Sequence, residues 1–513
     1  MEKQMKKIIA LLLLVVMCFT MIACQPQKTP TPTPGGDNND THKHNFVNGK
    51  CECGESDPNY VAPEKVRYEV PAEGYTGGEV TITFSHTMGE ALRNELDKAI
   101  ERFNKLYPNI TVEHSQIGGY DEVRDQIKTE LTAGNQPNIA YCYPDHVALY
   151  NITKKVVALD NFIESQIVVE RADGTTEILG LTDEQKADFI AAYYNEGTVF
   201  DEAGTMYTMP MSKSTEVLYY NKTFFEANGI KVPTTWEELE AVCRQIKDID
   251  PANVPLGYDS ESNWFITLAE QYGNPYTSSN KKNHFVFNNK GNREFVKELR
   301  GWYEEGLVTT QELFGAYTSS LFTNQDPTKP SCYMCIGSTG GATHQIPEAV
   351  DGVYPFEVGI APLPQVNPEE PKAISQGPSL CIFDQEDKQE VVASWLFVEF
   401  LTTDATFQAS FSKASGYMPV INSAKEIPAY SKWLDNANGY NNLPALVIKT
   451  ALQNTDSYFV SEAFNGSSKA RDQVGELLKY CFTTKLSDSG FTTIEELIED
   501  AFKQAIKECL ADA

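Results

Sequence analysis

The sequence predicts an α/β fold built on a parallel, helix-covered sheet. Between residues 79 and 142, short apolar alternations exchange with amphipathic helical stretches in the order strand, helix, strand, helix, strand. Such an order produces a parallel sheet with right-handed crossovers. The chain is also long and apolar enough to bury large cores: 513 residues, 41% hydrophobic and 11% aromatic. That length suits two to four domains at ~100–200 residues each.

The N-terminus is a separate case. Lys3, Lys6 and Lys7 precede an apolar run that begins at Ile8 and ends in Met21-Ile22-Ala23-Cys24. A basic start, an apolar stretch and small residues at the cut describe an export signal over residues 1–23. The run falls short of the ~20 residues of a membrane span. A cysteine at the cut resembles the bacterial lipobox, with Met21 where leucine is preferred, and this implies that Cys24 becomes a lipid-carrying N-terminus. An ordinary secretory signal with an incidental cysteine is the alternative.

Residues 24–41 alternate proline and threonine and then turn polar, which suits an extended, semi-rigid tether. Residues 42–60 form a small segment in which Asn48-Gly49 signals a two-residue hairpin turn. That hairpin would bring His42 and His44 beside Cys51 and Cys53, a ligand set suited to tetrahedral zinc. The Cys-x-Cys spacing is tighter than usual. An unstructured tail or a Cys51–Cys53 disulfide are the other readings.

In the globular part, Val80, Ile82 and Phe84 alternate with Thr81 and Thr83, which makes a strand. Gly89 then opens a helix whose apolar face carries Leu92, Leu96, Ala99, Ile100, Phe103 and Leu106, and Pro108 stops it. A strand at Ile110–His114, a helix from Gly118-Gly119-Tyr120 to Ala133 and a strand at Ile139–Cys142 follow. Thr182/Gln185, Thr235/Glu238 and Thr493/Glu496 have the capping-box spacing of helix starts. The last helix covers Ile494–Leu510.

The formal net charge is −29, and removal of residues 1–23 would leave about −31. This balance excludes nucleic acid as a partner, because phosphate binding requires clustered Lys and Arg. Of eleven cysteines, seven are scattered through the globular region: Cys142, Cys243, Cys332, Cys335, Cys381, Cys481 and Cys509. An odd, dispersed set is not a disulfide framework. Cys332 and Cys335 have redox or metal spacing, but their apolar strand-like surroundings favour a structural role.

Several stretches together resemble the extracellular solute-binding proteins of ABC importers, the sugar-binding family with maltodextrin- and glycerol-phosphate-binding members. Ala133–Ile139 resembles its "GxxPDV" segment, with Asn138 for the aspartate. Ser212–Lys222 is similar to its "ST-x-x-LYYNK" strand, and Pro233–Leu239 to its "P-x-TW-x-E" helix start. Phe356–Pro364 with Gly377 onwards resembles the late "VGIAPLP…G" return, and Gly416–Pro419 its "GY-x-P". The resemblance implies a two-lobed, periplasmic-binding-protein-like fold, with a ligand cleft between the lobes and several hinge crossovers. The first lobe would take residues 78–213 and 377–425, and the second 218–374 and 428–513. It further implies a monomer without a required cofactor, a small carbohydrate or polyol phosphate as ligand and ABC permease subunits as partners. Its address would be the outer face of the bacterial cytoplasmic membrane, held through Cys24.

Ligands of open α/β sheets bind beyond the carboxyl ends of the strands. That rule selects Ser85, His86 and Thr87 after the first strand, Tyr120 after the second, and Tyr143 and Asp145 after the third. A sugar needs polar groups for its hydroxyls and an aromatic platform for its C–H face. Asp145, Thr215 and Glu216 suit the first task; Tyr143, Trp264 and Tyr417 suit the second. Bland readings stand beside these. Tyr143 packs a loop, Asp145 caps the helix after Pro144, His86 is a satisfied structural histidine, and Trp264 is core. Trp236 belongs to the helix-start signature and is structural. Gly337-Ser-Thr-Gly340-Gly341 lacks the Gly-Lys-Ser/Thr of a phosphate loop. It resembles the family's "GxW" turn without its tryptophan, which places Gly340 at a more open pocket wall. A secreted glycosidase-type enzyme and a binding-only sensing receptor are the competing classes. No HExxH or GxSxG motif occurs, but 71 acidic residues leave a carboxylate pair open.

Overall fold

A computed structural model describes residues 46–47, 50–51, 56–61, 63–278 and 283–512. The chain divides into two compact units, Met1–Val61 and Ala62–Ala513. In the first, strands Phe46–Val47 and Lys50–Cys51 pair antiparallel, with Val47 opposite Lys50. Residues 1–41, His42, His44, Cys53 and the side chain of Cys51 lie outside the described residues.

The second unit holds two five-stranded mixed sheets. In the first sheet Val80–His86 lies between Ile110–Gln116 and Ile139–Cys142, parallel to both. The predicted strand–helix alternation produces this arrangement, with helices Glu90–Leu106 and Tyr120–Ala133 as crossovers. What periodicity did not reveal is the far edge. Ser379–Ile382 returns from much later in the chain and runs antiparallel to Ile139–Cys142, with Met209–Pro210 beyond it. The second sheet runs Val308–Thr310, Val254–Tyr258, Cys332–Ser338, Glu216–Asn221, Val358–Pro362. Its first three strands are parallel and its last two pairings antiparallel.

Each sheet has its own core. Ile82, Phe84, Leu96, Phe103, Tyr141 and Trp395 fill the first. Leu218, Leu239, Trp264, Trp302, Leu477 and Phe502 fill the second. Tyr430 and Ala451, from the stretch that the resemblance assigns to the second lobe, pack in the first core. The capping residues behave as their spacing predicts: Thr182 and Gln185 exchange hydrogen bonds, and so do Thr493 and Glu496. Cys142, Cys243, Cys332, Cys335, Cys381 and Cys481 are free and buried, and Cys509 is buried. Cys332 and Cys335 lie within strand Cys332–Ser338, and burial raises both thiol pKa values, which fits the structural role.

The chain crosses between the sheets around residues 211–215 and again around 375–378. These two crossovers pair with each other: Ser214 and Gln376 exchange backbone hydrogen bonds of 2.8 Å. A third crossing runs beside them, where Tyr458–Phe459 pairs with Ala373–Ile374. Gly377 is obligatory here. Its φ is +93°, and a Cβ would lie 2.6 Å from the carbonyl oxygen of Ser212.

Candidate functional site

A cleft of about 1040 Å³ lies at the strand ends, lined from both sheets and from the crossovers. The first sheet supplies Thr87, Tyr120, Tyr143 and Asp145, each at or just past a strand end, as expected for open α/β sheets. Tyr143 ends the loop after Ile139–Cys142, and Pro144 then starts the next helix. The rings of Tyr120 and Tyr143 stack, with centroids 4.4 Å apart. Tyr417 completes an aromatic group from the turn after helix Ala405–Ser415. Its ring presses on Gly340, across the cleft, where a Cβ would lie 2.7 Å from it.

The second sheet supplies polar groups. Glu216 opens strand Glu216–Asn221 and is buried. Its Oε2 accepts from Tyr258 Oη at 2.6 Å and its Oε1 from Asn263 Nδ2 at 3.2 Å. Burial pushes its pKa up to about 7, against the pull of these donors. Asp259, one residue past Val254–Tyr258, accepts from Thr318 N at 2.7 Å and Thr318 Oγ1 at 2.6 Å, and burial raises its pKa too.

Helix Ser467–Thr483 carries the contacts that join the lobes. Arg471 donates to Asn263 Oδ1 at 2.7 Å and places Nε 3.6 Å from Asp145 Oδ2, on the opposite side. Arg124, from the first lobe, donates to Ser468 Oγ at 3.0 Å and sits 3.6 Å from Asp472. At the crossovers Lys213 is fully buried and donates to Glu196 Oε1 at 2.6 Å. Glu196 itself reaches the cleft.

Seven of the eleven expected ligand-binding residues therefore meet at one cavity: Thr87, Tyr120, Tyr143, Asp145, Glu216, Gly340 and Tyr417. Asp145 caps nothing; its Oδ2 has no hydrogen-bond partner and faces Arg471. Four residues do not line the cleft. Ser85 is buried in its strand. His86, one position on, points away from Thr87 into the first core. There it bonds His114 at 2.9 Å, and burial lowers its pKa to about 4. Thr215 commits its hydroxyl to the carbonyl of Ile374, a bond between crossovers. Trp264 is core: it stacks on Tyr258 at 4.7 Å with no exposure, because its helix turns the apolar face inward. Its neighbour Asn263 is the cleft residue.

Asp259, Asn263, Tyr276, Gln345 and Arg471 line the cleft and were not anticipated. The strand-end rule, applied to Val254–Tyr258, would have found Asp259. Arg471 had no signal, since a mid-helix arginine ordinarily faces solvent.

Two α/β lobes joined by paired crossovers around a ligand-sized cleft define a solute-binding architecture, and comparison with known proteins agrees. The profile of the bacterial extracellular solute-binding proteins matches residues 98–438. The sn-glycerol-3-phosphate-binding periplasmic protein UgpB of Salmonella typhimurium is 25% identical over 384 residues, covering 70% of this chain and 78% of its own. Among solved structures, UgpB of Mycobacterium tuberculosis in complex with glycerophosphocholine has a TM-score of 0.65 at 18% identity. That match covers 84% of this chain and 98% of that one. An ABC substrate-binding protein of Listeria monocytogenes in complex with cycloalternan has a TM-score of 0.63 at 18% identity, with the same coverage. The chain belongs to the bacterial extracellular solute-binding protein family. The relatives it matches are binding proteins rather than enzymes. Among the described residues no helix is long and apolar enough to cross a membrane.

Proposed function

We propose that this protein captures a sugar or oligosaccharide in the cleft and delivers it to an ABC permease. The observation that carries this reading is the composition of the cleft wall. Tyr120, Tyr143 and Tyr417 offer C–H-stacking surface beside hydroxyl, amide and carboxylate groups. The wall has seven carboxylates and one guanidinium, Arg471. A phosphate would meet net repulsion there, so a carbohydrate is favoured over the polyol phosphates of some relatives. Capture proceeds by closure of the lobes about the paired crossovers, since ligand contacts on both lobes stabilise the closed form.

The N-terminal signal adds an address. Cys24, lipid-modified after removal of residues 1–23, tethers the body to the outer face of the cytoplasmic membrane through residues 24–41. In this reading Cys24→Ser releases the protein from membranes or blocks its processing, and leaves ligand affinity intact. His42, His44, Cys51 and Cys53 form a separate candidate zinc set, tested by elemental analysis of the native protein and a Cys51→Ser/Cys53→Ser variant.

The test of the main reading is a thermal-shift screen over mono- and oligosaccharides and polyol phosphates. A ligand at 100 times its Kd stabilises by ~2.7 kcal/mol. Stabilisation by polyol phosphates alone would refute the carbohydrate reading.

A further inference from the structure

One end of the cleft has two carboxylates with no described ion pair; Arg471 reaches Glu216 only through Asn263, which accepts from the guanidinium and donates to the carboxylate. Glu216 and Asp259 stand on either side of strand Cys332–Ser338: Glu216 is paired with Ser338, and Asp259 bonds the carbonyl of Ile336. Both line the cleft. Their described partners are Tyr258, Asn263, Thr318 and Cys335, all uncharged. Elsewhere in the cleft, described ion pairs join Glu196 to Lys213, Asp121 to Arg124 and Asp145 to Arg471.

A second observation points to a ligand at the same place. Gln345, from the segment Thr339–Gln345, is 2% exposed and lines the cleft, and its Oε1 has no hydrogen-bond partner. Its Nε2 donates to Cys335 Sγ at 3.3 Å, and Cys335 also contacts Asp259. Gly337 makes room for this group, since a Cβ there would lie 2.7 Å from Asp259 Oδ2 and 3.5 Å from Gln345 Nε2.

Burying two neighbouring carboxylates is costly unless a cation joins them or one takes up a proton, and hydroxyl donors satisfy their hydrogen bonds but not their charge. An ammonium group supplies a positive charge and three N–H donors, matching two carboxylates and one carboxamide oxygen. A divalent metal fits poorly, because it asks for six or more oxygens, and no metal-holding group of three acidic, His or Cys residues occurs among the described residues. We infer that the ligand is an amino sugar or amino-sugar oligomer, its ammonium seated against Glu216, Asp259 and Gln345. This rests on the carbohydrate reading above and narrows it.

The test is calorimetric titration at one fixed pH near 6.5 with matched pairs: glucosamine and galactosamine oligomers against glucose and galactose oligomers of the same linkage and length. The free-amine form of at least one pair binds about tenfold or more tighter than its neutral counterpart. Glu216→Gln and Asp259→Asn, each shown folded by circular dichroism, reduce that preference below about twofold. Neutral oligomers binding as tightly as the amines, or variants that keep the preference, overturn the inference and leave the carbohydrate reading standing. Failure of both kinds of oligomer to bind overturns the two together.

Discussion

Lys213→Met isolates the ion pair at the crossovers. Lys213 is fully buried, and its ammonium donates to Glu196 Oε1 at 2.6 Å, Ser379 Oγ at 3.0 Å and the Gly377 carbonyl at 3.3 Å. Methionine keeps most of the stem volume and removes the charge. Glu196, also buried, is left with Ser375 Oγ at 3.1 Å as its described donor. Removing one partner of a buried pair costs about 3–5 kcal/mol, because the other charge stays uncompensated. Unfolding entropy of ~2.1 cal/mol/K per residue, over a unit spanning 62–513, gives about 1 kcal/mol per kelvin, so Tm should fall by about 3–5 °C. The double variant Lys213→Met/Glu196→Gln removes the orphaned charge and should recover most of the loss. Differential scanning calorimetry of ligand-free protein at neutral pH reads both. A Tm for Lys213→Met within 1 °C of wild type, or a double variant below the single, refutes the reasoning.

Four other substitutions separate site from scaffold. Glu216 has its pKa raised from 4.5 to about 7 in the folded protein. Its contribution is fully present below about pH 4.5 and is lost as pH rises to about 7, an effect of ~3 kcal/mol; Glu216→Gln should flatten that part of the Tm–pH curve, and a variant curve parallel to wild type would contradict it. Trp264→Phe should cost ~1–3 kcal/mol of stability by loosening the second core and leave ligand Kd unchanged by titration calorimetry, whereas Tyr143→Ala should weaken binding about tenfold. Gly340→Ala puts a methyl group 2.7 Å from the Tyr417 ring; the ring must shift, and affinity should fall at least ~5-fold with little change in Tm.

Much of this fold is written locally. The strands Val80–His86 and Ile139–Cys142 and the helices between them follow from alternation, 3.6-residue periodicity and stop signals, which are short-range properties. The carboxyl-end rule then reaches Thr87, Tyr120, Tyr143 and Asp145 without tertiary information. Thr182/Gln185 and Thr493/Glu496 likewise needed only their own spacing.

The errors have one cause. Trp264 and Asn263 are adjacent, and sequence marks the larger aromatic; the rotation of helix Glu261–Gln271 sends Trp264 to the core and Asn263 to the cleft. His86 ends its strand and Thr87 is the first residue past it, so one position decides which enters the site. Thr215 is lost to Ile374, 159 residues away. Arg471 gains its place because Asn263 and Asp145 come from separate lobes to meet it.

By itself the sequence determined the class of fold, the family and the side chains available for binding, because these depend on local patterns and on residue identity. Only the tertiary structure decided which residues share the cleft, that its wall joins tyrosines to an excess of carboxylates, and that Glu216 and Asp259 stand beside Gln345 without an ion pair. Burial and charge compensation are properties of neighbours distant in the chain, and local pattern carries no record of them.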